Sequence, residues 1–415
     1  MNSWELLSSQ TYDSTVSDPR IVRKTNKMAI VETVRMHQNG ISRADTARFT
    51  NLSRATISVI VDELLEQGLL RETGIGASKG GRPPTILRLN ANAWHVIGID
   101  MGATHSRAMV ANMEGQILAE SNIPLDIASG PEACIDQVEL QINELLANCG
   151  SDWKKIKAAT LGVPGPVIQE AGAVFAPPIM PGWDGFPIRK YAQERWQIPV
   201  NIENDADLGV MGEWKFGRNG KADSLVYIKM GTGIGCGIIL DGRLFRGKTG
   251  SAGEIGHTLV ARNGLPCTCG NYGCLEAMAG GIALAQRAQM AVRVGQHTTL
   301  SRIPVETITA RHVTQAAAQG DELCQQLLVE AGELVGRAVA SLINLLNPGL
   351  ITVSGMIVET GDFFMNALVK TAKSQCLKAN SEATQIERAI TEQRASALGA
   401  IAIANSTALS RILEM

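Results

Sequence analysis

The chain has 415 residues, 45% of them hydrophobic and 19% charged, with 42 glycines and a formal net charge of -2. That length is about three times the ~150 residues of one domain, which excludes a single small module and predicts two or three folding units, each able to bury a core. The composition excludes a disordered chain, which needs low hydrophobicity and high net charge.

No uncharged apolar run approaches the ~20 residues that cross a bilayer, and the first twenty residues lack the basic and apolar regions of a secretory signal. A cytoplasmic protein without membrane insertion is expected. Residues 20–90 hold twelve Lys and Arg against six Asp and Glu, a net of +6, whereas residues 91–415 hold 26 bases against 31 acids, a net of -5. A basic segment joined to a mildly acidic body assigns any polyanionic partner to the first segment.

Residues 1–19, polar and rich in Ser and Thr, read as a flexible tail. Met28, Ile30, Val31 and Val34 then make a short apolar stripe that predicts a helix over 24–38, stopped at Asn39-Gly40. A second helix opens at Ser42, with Asp45 completing a capping box, and runs to Phe49 before the turn Thr50-Asn51-Leu52. The third starts at Ser53, buries Ile57, Ile60, Val61, Leu64 and Leu65, and closes at Gly68. Opposite that stripe lie Ala55, Ser58, Val59 and Asp62, with Arg54 and Thr56 at the N-terminal end. Small and hydroxyl side chains let such a helix enter a major groove while an arginine reaches a phosphate or a guanine edge.

Two strands flank a glycine-rich basic tip over 73–83, a wing that offers Lys79 and Arg82 to phosphates or a minor groove. The segment 20–90 therefore reads as a winged helix-turn-helix that binds double-stranded DNA. Its candidate contacts are Arg43, Ser53, Arg54, Ala55, Thr56, Ser58, Lys79 and Arg82. The alternative is a helical dimerisation or scaffold module.

After Asn90, HVIGIDMG, SRAMVANM and QILAESNI read as three strands, followed by a helix over 132–148 and a buried strand IKAATLGVPG. Between the first two strands, Asp100-Met101-Gly102-Ala103-Thr104 brings small residues and backbone amides to a hairpin beside a carboxylate. That suits a metal-bound phosphate, and an ordinary glycine hairpin has the same pattern. A second glycine-rich hairpin, IKMGTGIGCGIILDG, contains Gly231, Thr232 and Gly233. It is flanked by a strand rather than a helix, so it is not a dinucleotide fingerprint. Two such hairpins predict two facing lobes. Cys267, Cys269 and Cys274 with His257 make a Cys3His set, the donor composition of closed structural zinc sites, against a chance cluster of reduced thiols. Gly336 to Gly349 reads as a core helix.

Glu203-Asn204-Asp205-Ala206, Gly231-Thr232-Gly233-Ile234-Gly235 and above all GEIGHTLVARNGLPCTCGNYGCLE, from Gly253 to Glu276, make the body resemble the ROK family of repressors, uncharacterised reading frames and sugar kinases. With the N-terminal module, the chain is similar to ROK transcriptional repressors of the NagC/XylR type. The resemblance implies an α/β fold, a winged helix-turn-helix followed by two actin-like, hexokinase-type lobes with a structural zinc site. The first lobe would take 93–205 with 393–415 and the second 206–392. It further implies a sugar site in the cleft with Asn204, Asp205, Glu254, His257 and Glu276 as ligands, and with Gly165, Trp183 and Asp184 shaping its rim. If one ring nitrogen of His257 binds the metal, the other is aimed at the sugar. Helix capping by Asn204-Asp205 and surface ion pairing by Glu254 and Glu276 are the plainer alternatives.

The expected function is a sugar-responsive regulator of carbohydrate genes, in which a sugar or sugar phosphate in the cleft alters operator affinity. A homodimer or homotetramer is implied, and a phosphotransferase-system protein is a further partner to test. The second reading is an ATP-dependent hexose or N-acetylhexosamine kinase. In that case Asp205 is the general base, and Asp100, Gly102, Thr104, Gly231, Thr232 and Gly233 serve magnesium and ATP. Ala103, His105 and the turn Ser354-Gly355-Met356 depart from the kinase pattern.

Overall fold

The computed structural model describes residues 18–37, 39–75, 84–177, 179–359 and 361–414. Most of the expected tail, and the wing tip with Lys79 and Arg82, lie outside the described residues. Helix α1 (Pro19–Met36) starts five residues before the predicted Lys24. Asp18, assigned to the tail, caps it by accepting from the Arg20 amide, and Pro19 supplies the φ of a first helical turn. The apolar stripe misses this turn because it is exposed: Ile21 and Val22 face solvent, and burial begins at Lys27 and Ile30.

Strand β1 (Ile41–Ser42) runs into α2 (Arg43–Thr50), capped by Ser42, whose hydroxyl accepts from the Asp45 amide. The Asp45 carboxylate accepts from that same hydroxyl at 2.6 Å. Asn51 ends the helix at a left-handed φ of 57°. Helix α3 (Arg54–Glu66), capped by Ser53, buries Ile57, Ile60, Val61 and Leu64 as its periodicity predicts. Strands β2 (Leu70–Ile75) and β3 (Thr85–Leu89) pair antiparallel, and β3 also pairs with β1.

In the body, β4 (His95–Met101), β5 (His105–Asn112) and β6 (Ile117–Pro124) form an antiparallel meander. Helix α4 (Pro131–Asn148) crosses to β7 (Ile156–Val163), parallel to β4. A small hairpin, β8 (Val167–Ile168) and β9 (Ala173–Val174), and α5 (Ile188–Trp196) precede β10 (Val200–Asn204), parallel to β7. The order is β10-β7-β4-β5-β6.

Helix α6 (Asp205–Gly212) continues as a π-helical turn into a second sheet built on the same plan. Its meander is β11 (Leu225–Met230), β12 (Ile234–Leu240) and β13 (Arg243–Leu244), with β14 (Leu350–Ser354) and β15 (Gln385–Arg388) added in parallel. Between β13 and β14 lie α7 (Leu275–Ala279), α8 (Gly281–Arg293), α9 (Ala310–Ala318) and α10 (Glu322–Leu346), whose second half is the predicted core helix. Between β14 and β15 lie α11 (Met356–Glu359), α12 (Phe363–Gln375) and α13 (Lys378–Ala383).

The last helix, α14 (Ala395–Glu414), returns to the first sheet and packs on β4, β7 and α6. Among the described residues it belongs to the one segment long and apolar enough to cross a bilayer, yet 61% of that segment's most apolar window is buried within the protein. Its crossing with α6 is a backbone contact. A Cβ on Gly399 would stand 1.8 Å from Leu208 O, and one on Gly212 would stand 1.9 Å from Ala395 O. The far end of α14 buries Leu409, Ile412 and Leu413 in the same apolar cluster as Ile30, Val34, Leu64 and Leu87 of the N-terminal region.

Candidate functional site: a cleft beside a Cys3His cluster

His257 ends a short 3-10 turn, Ile255–His257, and Cys274 precedes the first residue of α7. The Leu275 amide donates to Thr258 O at 2.9 Å, and the Cys267 amide donates to Asn271 O at 2.7 Å, folding the loop so that the four donors converge. The donor atoms of His257, Cys267, Cys269 and Cys274 all lie within 4.8 Å of one another. Cys269 Sγ stands 3.7 Å from Cys274 Sγ, and Cys267 Sγ stands 3.6 Å from His257 Nδ1. A tetrahedral site with ~2.3 Å metal–sulfur and ~2.0 Å metal–nitrogen bonds has edges of about 3.8 Å and about 3.5 Å. Two edges of the donor set therefore have tetrahedral dimensions, and the four donors lie close enough together to hold one metal ion. His257 directs Nδ1 at the sulfurs, leaving Nε2 toward Glu254 Oε2 at 3.9 Å.

Beside this cluster lie the predicted cleft residues. Asp205 is the first residue of α6, and its Oδ2 accepts from Lys229 Nζ at 2.8 Å. Partial desolvation, reinforced by Asp205 and Glu276 nearby, raises Glu254 against the pull of His257, although 40% of its side chain is exposed. Two predicted ligands are engaged within the protein. Asn204 caps α6, accepting from the Ala206 and Asp207 amides at 2.8 and 3.2 Å and donating to Gly165 O at 3.1 Å. Glu276 Oε2 accepts from the Ile234 amide at 2.9 Å and holds the turn at Gly233. Trp183 is not a rim residue: it is fully buried, with its indole N–H donating to Ile127 O at 2.9 Å. Asp184 accepts from the Ala176 amide.

Of the residues expected to serve a nucleotide, Asp100 and Gly102 are covered by the protein's own groups, whereas Thr104 and Thr232 are exposed. Asp100 is 2% exposed, with Lys229 Nζ at 3.6 Å from Oδ1 and His105 Nε2 at 3.8 Å from Oδ2. The His105 ring lies over Gly102, 2.4 Å from where a Cβ would stand. Thr104 O accepts from Leu125. The carbonyls of Gly231 and Thr232 accept from the first amides of α8, and the Gly231 amide donates to Gly233 O.

Four residues at the cleft were given no role from the sequence, Glu203 among them although it stands in the family motif. Glu203 accepts from Arg246 Nε and Nη2 at 2.9 and 2.6 Å. Asp207 is 2% exposed, its Oδ1 accepts no hydrogen bond, and burial with Glu203 alongside holds its carboxyl well above the usual range. Lys229 is the fourth. The lone charge in Leu225-Val226-Tyr227-Ile228-Lys229-Met230 was the legible signal, since a lysine in a buried strand needs a counter-ion.

In the N-terminal region Arg54, Ala55, Ser58, Val59 and Asp62 are exposed along α3, on the face that the periodicity left free. Ser53 Oγ accepts from the Thr56 amide. Arg43 is held by Asp62 at 2.7 Å and Glu72 at 3.3 Å. Helix α14 connects the two regions. Ser396 Oγ, in its first turn, donates to Asp205 O at 2.8 Å, and Ser410 Oγ, in its last, accepts from Lys24 Nζ of α1 at 2.8 Å. Lys24 also pairs with Glu414.

The ROK family model matches residues 96–407. The xylose repressor of Caldicellulosiruptor bescii is 33% identical over 391 residues, covering 94% of this chain and 98% of its own. A crystal structure of a ROK family transcriptional regulator, a homologue of the E. coli MLC protein, matches with a TM-score of 0.81 at 25% identity, over 94% of this chain and 98% of its own. A ROK family glucokinase from Streptomyces griseus, solved with glucose and AMPPNP, matches with a TM-score of 0.65 at 29% identity, over 98% of its own chain but 74% of this one. The relatives cover almost the whole chain, and the protein belongs to the ROK family.

Proposed function

We propose that the chain is a sugar-responsive, DNA-binding repressor of carbohydrate genes. The observation that carries this reading is coverage: the repressor and the regulator align over 94% of the chain, N-terminal region included, whereas the glucokinase aligns over 74%. Residues 20–90 act as a winged helix-turn-helix, with α3 in the major groove and Arg54, Ala55, Thr56 and Ser58 nearest the bases. Arg43 exchanges Asp62 and Glu72 for a phosphate, and Lys79 and Arg82 extend the contact through the wing. Residues 93–205 with 393–415 form one lobe and 206–392 the other. The Cys3His cluster holds a structural zinc, and all four positions are filled by protein. The sugar lies between Asp205, Glu254 and His257 Nε2. A cytoplasmic homodimer meets a palindromic operator through two heads.

Helix α14 supports a route from cleft to head. Twenty residues at 1.5 Å each make a rod ~30 Å long. One end is hydrogen-bonded to Asp205 and the other to α1. A change at Asp205 is thereby delivered to the helix that supports α3, in addition to the direct link through residues 85–95.

The test is operator selection from random duplex, followed by binding in the presence of glucose, xylose, amino sugars and the 6-phosphates of the hexoses. One sugar is expected to shift operator affinity by roughly 5 to 150-fold. A footprint unchanged across the panel overturns the reading. ADP release that depends on a sugar and is lost in Asp205→Asn would favour the kinase instead.

A further inference from the structure

Asp100 is the penultimate residue of β4 and Asp205 opens the helix that leads to the second sheet, so two carboxylates from separate elements meet around one ammonium, that of Lys229. Such a pair needs compensation. Paired negative charge out of water is met by a proton, by a divalent cation or by an organic cation, and an uncompensated ion costs several kcal/mol. Lys229 stands between them, donating to Asp205 Oδ2 at 2.8 Å and Ser396 Oγ at 3.3 Å, with Asp100 Oδ1 at 3.6 Å. Asp100 Oδ1 is buried and accepts no hydrogen bond, so its charge is answered by that ammonium alone on this side. Burial works against ionisation of both groups. The mutual attraction prevails, with Asp100 held below and Lys229 held above the ordinary range. Ion binding at Asp100 from its other side meets the His105 ring.

The magnesium that the kinase reading requires does not fit this arrangement, because the position between the carboxylates is filled by a tethered cation. We propose that Lys229 is a built-in counter-ion that takes the place of a divalent metal between Asp100 and Asp205, so that the cleft takes a sugar without a metal between those carboxylates. Lys229 is thus a specificity-determining residue of the cleft. It leaves Asp205 Oδ1 to accept from a sugar hydroxyl and withholds both carboxylates from a metal-bound phosphate. The inference deepens the receptor reading, and its test needs neither effector nor operator.

The experiment is a titration of the full chain, its Cys3His cluster first saturated with zinc, with Mn²⁺ alone, reading free Mn²⁺ by electron paramagnetic resonance. Wild-type protein is expected to take up none at about 1 mM. Lys229→Met is expected to gain one equivalent at an affinity at least roughly tenfold higher than any wild-type binding. That equivalent is expected to vanish in Lys229→Met/Asp100→Asn, and Lys229→Arg should exclude the ion like wild type. One Mn²⁺ bound by wild type and lost in Asp100→Asn overturns the proposal, a result that stands even if the methionine variant does not fold. A folded Lys229→Met chain that binds no Mn²⁺ overturns it as well.

Discussion

Asp207 illustrates how a single side chain can carry a measurable consequence. It is buried with an unpartnered Oδ1 beside Glu203, which Arg246 already neutralises. Its pKa in the folded protein lies above the ~3.9 of an unfolded aspartate, so folding takes up a proton between the two values and stability falls as pH rises through that window. Asp207→Asn keeps the shape and removes the titration. Wild type should lose melting temperature as the pH rises above the ordinary aspartate range, and the variant should lose less, with the larger gain at the alkaline end. Equal losses in the two proteins would rule out a protonated Asp207. The sequence held an acidic cluster at Glu203, Asp205 and Asp207, but which acid is paired depends on Arg246, 39 or more residues away along the chain.

Among the elements, the Cys/His loop and α14 bear different kinds of strain on removal. The loop has few buried apolar side chains, so a metal bound there would supply much of the free energy that orders it. Chelation or Cys269→Ser should release about one zinc per chain and weaken sugar binding through His257 and Glu254, while binding of operator without sugar persists. Calorimetry with whichever sugar shifts operator binding, before and after chelation, checks this, and an unchanged affinity would detach the metal from the sugar site. Helix α14 is different because it touches α6 backbone to backbone. Gly399→Ala places a methyl against Leu208 O and should cost about 1–3 kcal/mol in urea unfolding. Gly349→Ala, whose Cβ would meet nothing closer than 3.6 Å, is the matched control.

For the whole molecule, the +6 carried by residues 20–90 governs how binding responds to salt. A dimer making ~6–10 phosphate contacts should lose roughly 10³–10⁵ in affinity between ~50 and ~200 mM salt. Fluorescence anisotropy on the selected operator measures the slope, and a flat response would remove the polyanion reading of the basic segment. The sugar dependence, by contrast, should fall less steeply with salt, since Asp100, Glu203 and Asp207 are buried and the ion pairs they stand in are less screened than surface charges.

Much of this architecture is local in origin and could be read directly from residue order. Hydroxyl caps at Ser42 and Ser53, the 3.6-residue stripe of α3, the meander strands and the close spacing of Cys267, Cys269 and Cys274 are interactions between near neighbours, and periodicity records them. What stayed hidden depends on contacts between distant segments. Lys229 and Ser396 are 167 positions apart, and Lys24 and Ser410 are 386 apart. A charge in a strand announces that it needs a partner without naming one. Burial makes that partner obligatory, and the packing of two sheets around α6 and α14 selects Asp100, Asp205 and Ser396 to meet the ammonium.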